Sequence, residues 1–172
     1  MDKYYLGNLQ ELEEYCKLYF PLVINYSRSI LGIDFKKGAF EGDHLGIQTP
    51  SHDEYSHYCN ILSSYMSHNF TNDLHGRKVS IFSFKDRFIS NGITLNGVEI
   101  FEPKPNMDIT KIKLGIEHIS IITKEYEKTL SNISKEYINK SAEYPEGRFF
   151  KTKFINLVEI EFRDRSLIKK DI

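Results

Sequence analysis

The chain has 172 residues, of which 40% are apolar, enough to bury one core in a single domain or in two small fused modules. Its 23 basic and 24 acidic side chains are spread along the sequence and give a formal charge of -1, which argues against a phosphate-driven nucleic-acid binder with a basic face. No apolar run approaches the roughly 18 residues of a membrane span, the acidic, Tyr-rich N-terminus lacks the regions of a signal peptide, and Cys16 and Cys59 make no metal-type pair, so a reduced, soluble, cytoplasmic protein is expected.

The first 35 or so residues read as helix. Leu9, Leu12, Tyr15-Cys16, Tyr19-Phe20, Val23 and Tyr26 or Ile30 recur at spacings of three to four, with Pro21 as a kink or a break between two helices. Lys36-Lys37-Gly38 closes this region. The alternating segment Asp43-His44-Leu45-Gly46-Ile47-Gln48-Thr49 then reads as a strand with His44, Gly46 and Gln48 on one face and Leu45 and Ile47 on the other. Ser51 and Glu54 have capping-box spacing, and the helix they open, to about His68, carries Tyr55, Tyr58, Leu62 and Tyr65-Met66 on its core side. His52, His57, His68 and His75 read as surface residues. Turns follow at Asn72-Asp73 and Gly76-Arg77, a strand over Lys78 to Phe84, a turn at Ser90-Asn91-Gly92, and a strand from Ile93 to Phe101 broken at Asn96-Gly97.

The order then repeats. Glu117-His118-Ile119-Ser120-Ile121-Ile122-Thr123 is a near-copy of the first strand, with His118 and Ser120 opposite Ile119 and Ile121. A helix is expected from about Lys124 to Lys140, then a turn at Pro145-Glu146-Gly147 and strands at Arg148 to Lys153 and Asn156 to Arg163. The unit is a strand, a helix and then two or three strands, given twice, a βαβββ-like duplication. Both halves close on apolar residues alternating with acids: Glu99 opposes Val98 and Ile100, and Glu159 and Glu161 oppose Val158, Ile160 and Phe162. Two histidines from first strands and two glutamates from last strands on one concave sheet would offer nitrogen and oxygen ligands suited to Zn²⁺, Ni²⁺, Fe²⁺ or Mn²⁺. The terminal Arg163, Arg165, Lys169 and Lys170 are interrupted by Asp164 and Asp171 and read as a solvated end. No Gly-rich phosphate loop, Gly-x-Ser-x-Gly elbow or His-Glu-x-x-His helix is present in the sequence.

Several of these pieces together resemble the YecM-type branch of the glyoxalase/bleomycin-resistance/dioxygenase group, the vicinal oxygen chelate superfamily. They are Asp43-His44 opening a strand, Gly76-Arg77-Lys78-Val79, Val98-Glu99 leading into Pro103-Lys104-Pro105, and Gly115-Ile116-Glu117-His118, which is similar to the family's Gly-x-Glu-His. The resemblance covers roughly residues 10 to 170. It implies an α+β fold of two paired βαβββ modules, about 40–106 and 112–172, forming a cupped, partly open barrel. The domain would span 38–172, with the helices of 1–37 packed on it as an N-terminal extension. The resemblance also implies metal ligands on the first and last strands of each module: His44, Glu99, His118 and Glu161. Glu102 competes with Glu99 and Glu159 with Glu161, and Glu99 or Glu161 would be the general base.

The implied function is a divalent-metal-binding protein, possible as a metal-dependent lyase, isomerase or dioxygenase acting on a small oxygen-rich substrate. The alternative is a non-catalytic small-molecule binding protein using the same cup without metal, and a third reading is a scaffold for another protein. Partners are then a small-molecule ligand or substrate, with no nucleic acid and no membrane, in a monomer or homodimer, the monomer preferred.

Overall fold

The computed structural model describes residues 8–35, 40–106, 108, 110, 114–145, 147–153, 155 and 158–168. Helix α1 runs Leu9–Ser29 and is capped by Asn8, whose side-chain oxygen accepts from the Glu11 backbone N–H at 3.0 Å. It continues through Pro21 as one helix instead of breaking there. Proline has no N–H to give the carbonyl four residues earlier, that of Lys17, and the Asn91 side-chain amide donates to that carbonyl instead, at 3.3 Å. Leu12, Cys16, Tyr19, Phe20, Val23 and Tyr26 form its buried stripe. Lys36-Lys37-Gly38 lies outside the described residues.

The remaining elements are β1 (Phe40–Gln48), α2 (His52–Tyr65), β2 (Met66–Asp73), β3 (Lys78–Ser90), β4 (Ile93–Phe101), β5 (Gly115–Thr123), α3 (Tyr126–Asn132), a 3-10 turn (Lys135–Tyr137), β6 (Ile138–Tyr144), β7 (Gly147–Thr152) and β8 (Ile160–Arg163). The strands form one eight-stranded sheet in the order β2-β3-β4-β1-β5-β8-β7-β6. Each module is thus a four-stranded sheet whose first and last strands are parallel neighbours, β1 with β4 and β5 with β8. The modules join through antiparallel β1 and β5 at the centre. The sheet does not close, and the architecture is the expected α+β cup of two βαβββ modules with an N-terminal helical extension.

One face of the central strands is apolar. Leu45, Ile47, Val98, Ile100, Ile119, Ile121, Ile160 and Phe162 pack there in a core shared with α1 and with Tyr55, Tyr58 and Leu62 of α2. Removing this much apolar surface from water is what holds the layers together. Tyr26 of α1 donates its hydroxyl to the Lys153 carbonyl at 3.0 Å, while Asn91 holds Lys17, so α1 is tied to both modules.

Five expectations are corrected. The helix expected over Lys124 to Lys140 is only Tyr126–Asn132, after which Ile133 is extended and the chain passes through the 3-10 turn into β6. The helix expected to reach His68 stops at Tyr65, and Met66–Asp73 is a strand. Both misread segments are the edge strands of the sheet, largely polar and exposed on half or more of their positions, so no apolar alternation marks them and only pairing with a neighbour makes them strands. Tyr65 is 47% exposed and not core-facing. Finally, β4 is continuous through Asn96-Gly97 because a side chain at Gly97 would strike the Phe82 carbonyl on β3, so glycine there permits close strand approach. Of the last strand expected from Asn156, that residue lies outside the described residues and β8 begins at Ile160.

Candidate metal centre

The polar face of the central strands carries the candidate site. Register places Gly46 of β1 between Glu99 of β4 and His118 of β5, and His44 opposite Ser120, which in turn faces Glu161 of β8. Directly paired residues point to the same side of a sheet. The internal twofold therefore exchanges His44 with His118 and Glu99 with Glu161, as the alternation in the two halves implied.

His44, Glu99 and His118 come together. Glu99 Oε2 lies 3.4 Å from His44 Nε2 and 3.7 Å from His118 Nε2, and the two imidazoles meet edge to face with ring centroids 5.6 Å apart. One ligand atom from each of the three lies within 4.8 Å of the others. Both histidines are fully buried, and among the described residues neither Nε2 atom has a hydrogen-bond partner. The donor set and these two orphaned nitrogens fit a divalent ion of the zinc-to-manganese range. Glu102 is elsewhere: its carboxylate bonds His52 and accepts from the Lys78 backbone N–H at 2.9 Å.

Bulges position the groups behind the rings. The β1–β5 register shifts between Gly42 and His44 and again between Gly46 and Ile47, so Asp43 and Glu117 lie in irregular positions beside the two histidines. Asp43 Oδ2 is 3.0 Å from His44 Nδ1 and also accepts from the Leu167 backbone N–H at 2.9 Å, while Oδ1 accepts from the Ser166 hydroxyl. In the neutral imidazole, the form a metal ion binds, an Nδ1–H given to Asp43 leaves Nε2 with its lone pair toward the cluster. Burial opposes protonation of His44, but Asp43 and Glu99 outweigh it and raise its pKa to about 9 in the metal-free protein.

Glu161 is not brought into this cluster. Its Oε1 accepts from the Ser120 hydroxyl at 3.1 Å and from Arg163 Nη1 at 2.9 Å, and Oε2 is 3.4 Å from Lys151 Nζ. Burial works against its charge, yet Lys151, His118 and Arg163 hold its carboxyl far below the usual range. Glu159 lies 3.7 Å from Lys151. A second ligand-type group, Glu117, His118 and Glu159, already surrounds a cation, since Lys151 Nζ is 3.9 Å from Glu117, 3.7 Å from Glu159 and 3.3 Å from His118 Nδ1.

Two participants were misread in the sequence and one was passed over. Arg163, assigned to a solvated end, is 6% exposed and paired with Glu161; Arg165 is exposed, and Lys169 and Lys170 lie outside the described residues. Arg77 was read as part of a turn and of the family-like Gly76-Arg77-Lys78-Val79, with no role in the site. Lys151 went unremarked although it shares strand parity with Phe149, and it faces Glu161 in register.

Over residues 11–165 the sequence matches the YecM protein family. No curated protein matches it. Among solved structures, a structural-genomics protein, EC4020, superposes with a TM-score of 0.72 at 14% identity over 95% of this chain and 92% of its own. A variant methylmalonyl-CoA epimerase from Streptomyces coelicolor, in complex with 2-nitronate-propionyl-CoA, gives 0.53 at 16% identity over 74% and 98%. The methylmalonyl-CoA epimerase from Mycobacterium tuberculosis gives 0.50 at 14% identity over 72% and 86%. At these identities the likeness is one of fold. Among the described residues no helix is long and apolar enough to cross a membrane. With its paired βαβββ modules and a family match along most of its length, the chain belongs to the YecM family and has the fold of the vicinal oxygen chelate superfamily.

Proposed function

We propose that this protein binds a divalent metal ion through His44, Glu99 and His118 and acts as a metal-dependent isomerase, lyase or dioxygenase on a small, oxygen-rich substrate. The observation that carries this reading is the pair of buried Nε2 atoms with no hydrogen-bond partner, both facing one Glu99 oxygen. Each buried polar atom left unbonded costs about 1–3 kcal/mol, which a bound cation removes. Charge points the same way. Among the described residues Asp43, Glu99, Glu117, Glu159 and Glu161 face Arg77, Lys151 and Arg163, leaving two negative charges when both histidines are neutral. One divalent ion balances them.

When bound, the ion supplies Lewis acidity toward neighbouring substrate oxygens. The rest is the work of the chain. Asp43 orients His44, Gly46 leaves room for His118, and Glu99, whose carboxylate lies against both histidine Nε2 atoms, is the group placed to take a proton. Glu161 is the counter-ion of Lys151 and Arg163; joining the cluster would require it to leave Arg163 and Ser120.

Elemental analysis of the purified protein, and of protein stripped and reloaded with Zn²⁺, Ni²⁺, Mn²⁺ or Fe²⁺, tests the reading. About one ion per chain is expected, lost in His44→Ala and in His118→Ala with the circular dichroism of the fold retained. A wild type that takes up none of the four ions overturns it in favour of a metal-free binding cup.

A further inference from the structure

Among the cations of the cup, Lys151 and Arg163 are saturated by carboxylates. Arg77 is not. It stands between the two-residue turn His75-Gly76 and β3; both turn residues have positive φ (56° and 76°), and the Leu74 N–H donates to the Arg77 carbonyl at 2.8 Å. This is the geometry of a tight hairpin turn, and Gly76 is braced further by its N–H to Asp73 Oδ1 at 3.0 Å. Strand parity puts Arg77 with Val79 and Ile81, which pair with Phe101 and Glu99, so it stands on the face that carries the histidines.

The guanidinium is held from two sides. It lies over the Phe101 ring, 4.6 Å from the centroid, and that ring is 5.9 Å from the His118 ring. Nη1 donates to Gln48 Oε1 at 2.7 Å. The Gln48 amide nitrogen is committed to the Thr49 and Phe101 carbonyls at 2.9 and 3.3 Å, which fixes the oxygen toward Arg77. Nε is buried without a hydrogen-bond partner, and among the described residues no carboxylate forms an ion pair with Arg77. The Nε/Nη2 edge is the side of a guanidinium that takes a planar carboxylate through two parallel hydrogen bonds.

We propose that Arg77 is the carboxylate anchor of the cup, so that the protein takes a small 2-oxo or 2-hydroxy carboxylate whose anionic end binds the Nε/Nη2 edge while its other oxygen faces His44, Glu99 and His118. This rests on the metal reading above for the second contact only. The first is a property of Arg77, Phe101 and Gln48.

Calorimetric titration with pyruvate and with the uncharged 3-hydroxybutan-2-one, which keeps two adjacent oxygens, separates the two. Metal-loaded wild type is expected to bind pyruvate more tightly than the hydroxyketone. Arg77→Met is expected to weaken pyruvate by about tenfold to a hundredfold, with hydroxyketone affinity and metal content unchanged. Arg77→Lys keeps the charge without the fork and should fall between. Gln48→Leu, which removes the brace but not the cation, is a second variant expected to weaken pyruvate several-fold. No pyruvate binding by the wild type, equal affinity for both probes, or pyruvate affinity unchanged in Arg77→Met overturns the proposal. If the wild type takes up no metal, the metal reading fails, and the same titration on metal-free protein still tests Arg77.

Discussion

The imidazole of His118 lies across the backbone of Gly46 and occupies the space where a Cβ would stand, which would sit 2.8 Å from Nε2 and closer to other ring atoms. Because Gly46 is paired with His118 on one side and Glu99 on the other, a residue without a side chain forms the middle of the row and lets ring and carboxylate approach each other over β1. The twofold-related position is Ser120, between His44 and Glu161, and its hydroxyl binds Glu161. This difference, together with Arg163, is the physical reason that Glu99 joins the histidines and Glu161 does not.

Gly46→Ala is therefore expected to displace the His118 ring. Overpacking of this kind costs about 1–3 kcal/mol, read as a lower urea midpoint, and metal uptake should be lost in parallel. Full metal loading of a folded Gly46→Ala protein would show that His118 does not need the space.

Glu99→Gln and Glu161→Gln should differ in metal content. The first removes the carboxylate facing both Nε2 atoms and is expected to abolish loading. The second should load about one ion per chain, as expected for a three-residue site, while losing stability because Arg163 and Lys151 lose their partner. Equal loss of metal in both would make Glu161 a fourth ligand.

Lys151→Met leaves Glu117, Glu159 and Glu161 facing one another without the cation between them. Breaking a buried charge cluster from one side costs about 3–5 kcal/mol. Adding Glu161→Gln to Lys151→Met should recover part of that loss, and a double-mutant cycle of denaturant midpoints measures the coupling. Additive effects would show that the two side chains do not interact.

Asp164 ties the end of β8 to the start of β7 by accepting from the Arg148 backbone N–H at 2.9 Å and from its Nε at 3.1 Å. Partial burial opposes its charge, but these bonds win and lower its pKa. A carboxyl depressed in the folded state contributes stability that is present above the unfolded value of about 3.9 and is lost as pH falls through the lower folded value. Asp164→Asn should consequently lower the urea midpoint at pH 7, with the gap to wild type closing as the pH drops below about 4. A gap that stays constant with pH would assign the effect to packing instead.

The sequence alone determined the duplicated order of elements and the faces of the strands near the centre of the sheet. His44, Gly46, His118 and Glu99 could be sorted by alternation because a buried strand covered on one side writes its face into every second residue. Ser51, Asn91-Gly92 and Gly76 could be read because caps and tight turns are local. Tertiary structure decided whatever depends on a distant neighbour. The edge strands β2 and β6 carry no apolar alternation and exist through pairing. Helix α1 passes Pro21 because Asn91 satisfies the freed carbonyl. Arg163 and Lys151 look like surface charges until β8 and β7 set them against Glu161. The sequence offers Glu99 and Glu161 as equals, and they part because a carboxylate goes to whichever donors surround it in space, two histidines in one module and Ser120 with Arg163 in the other.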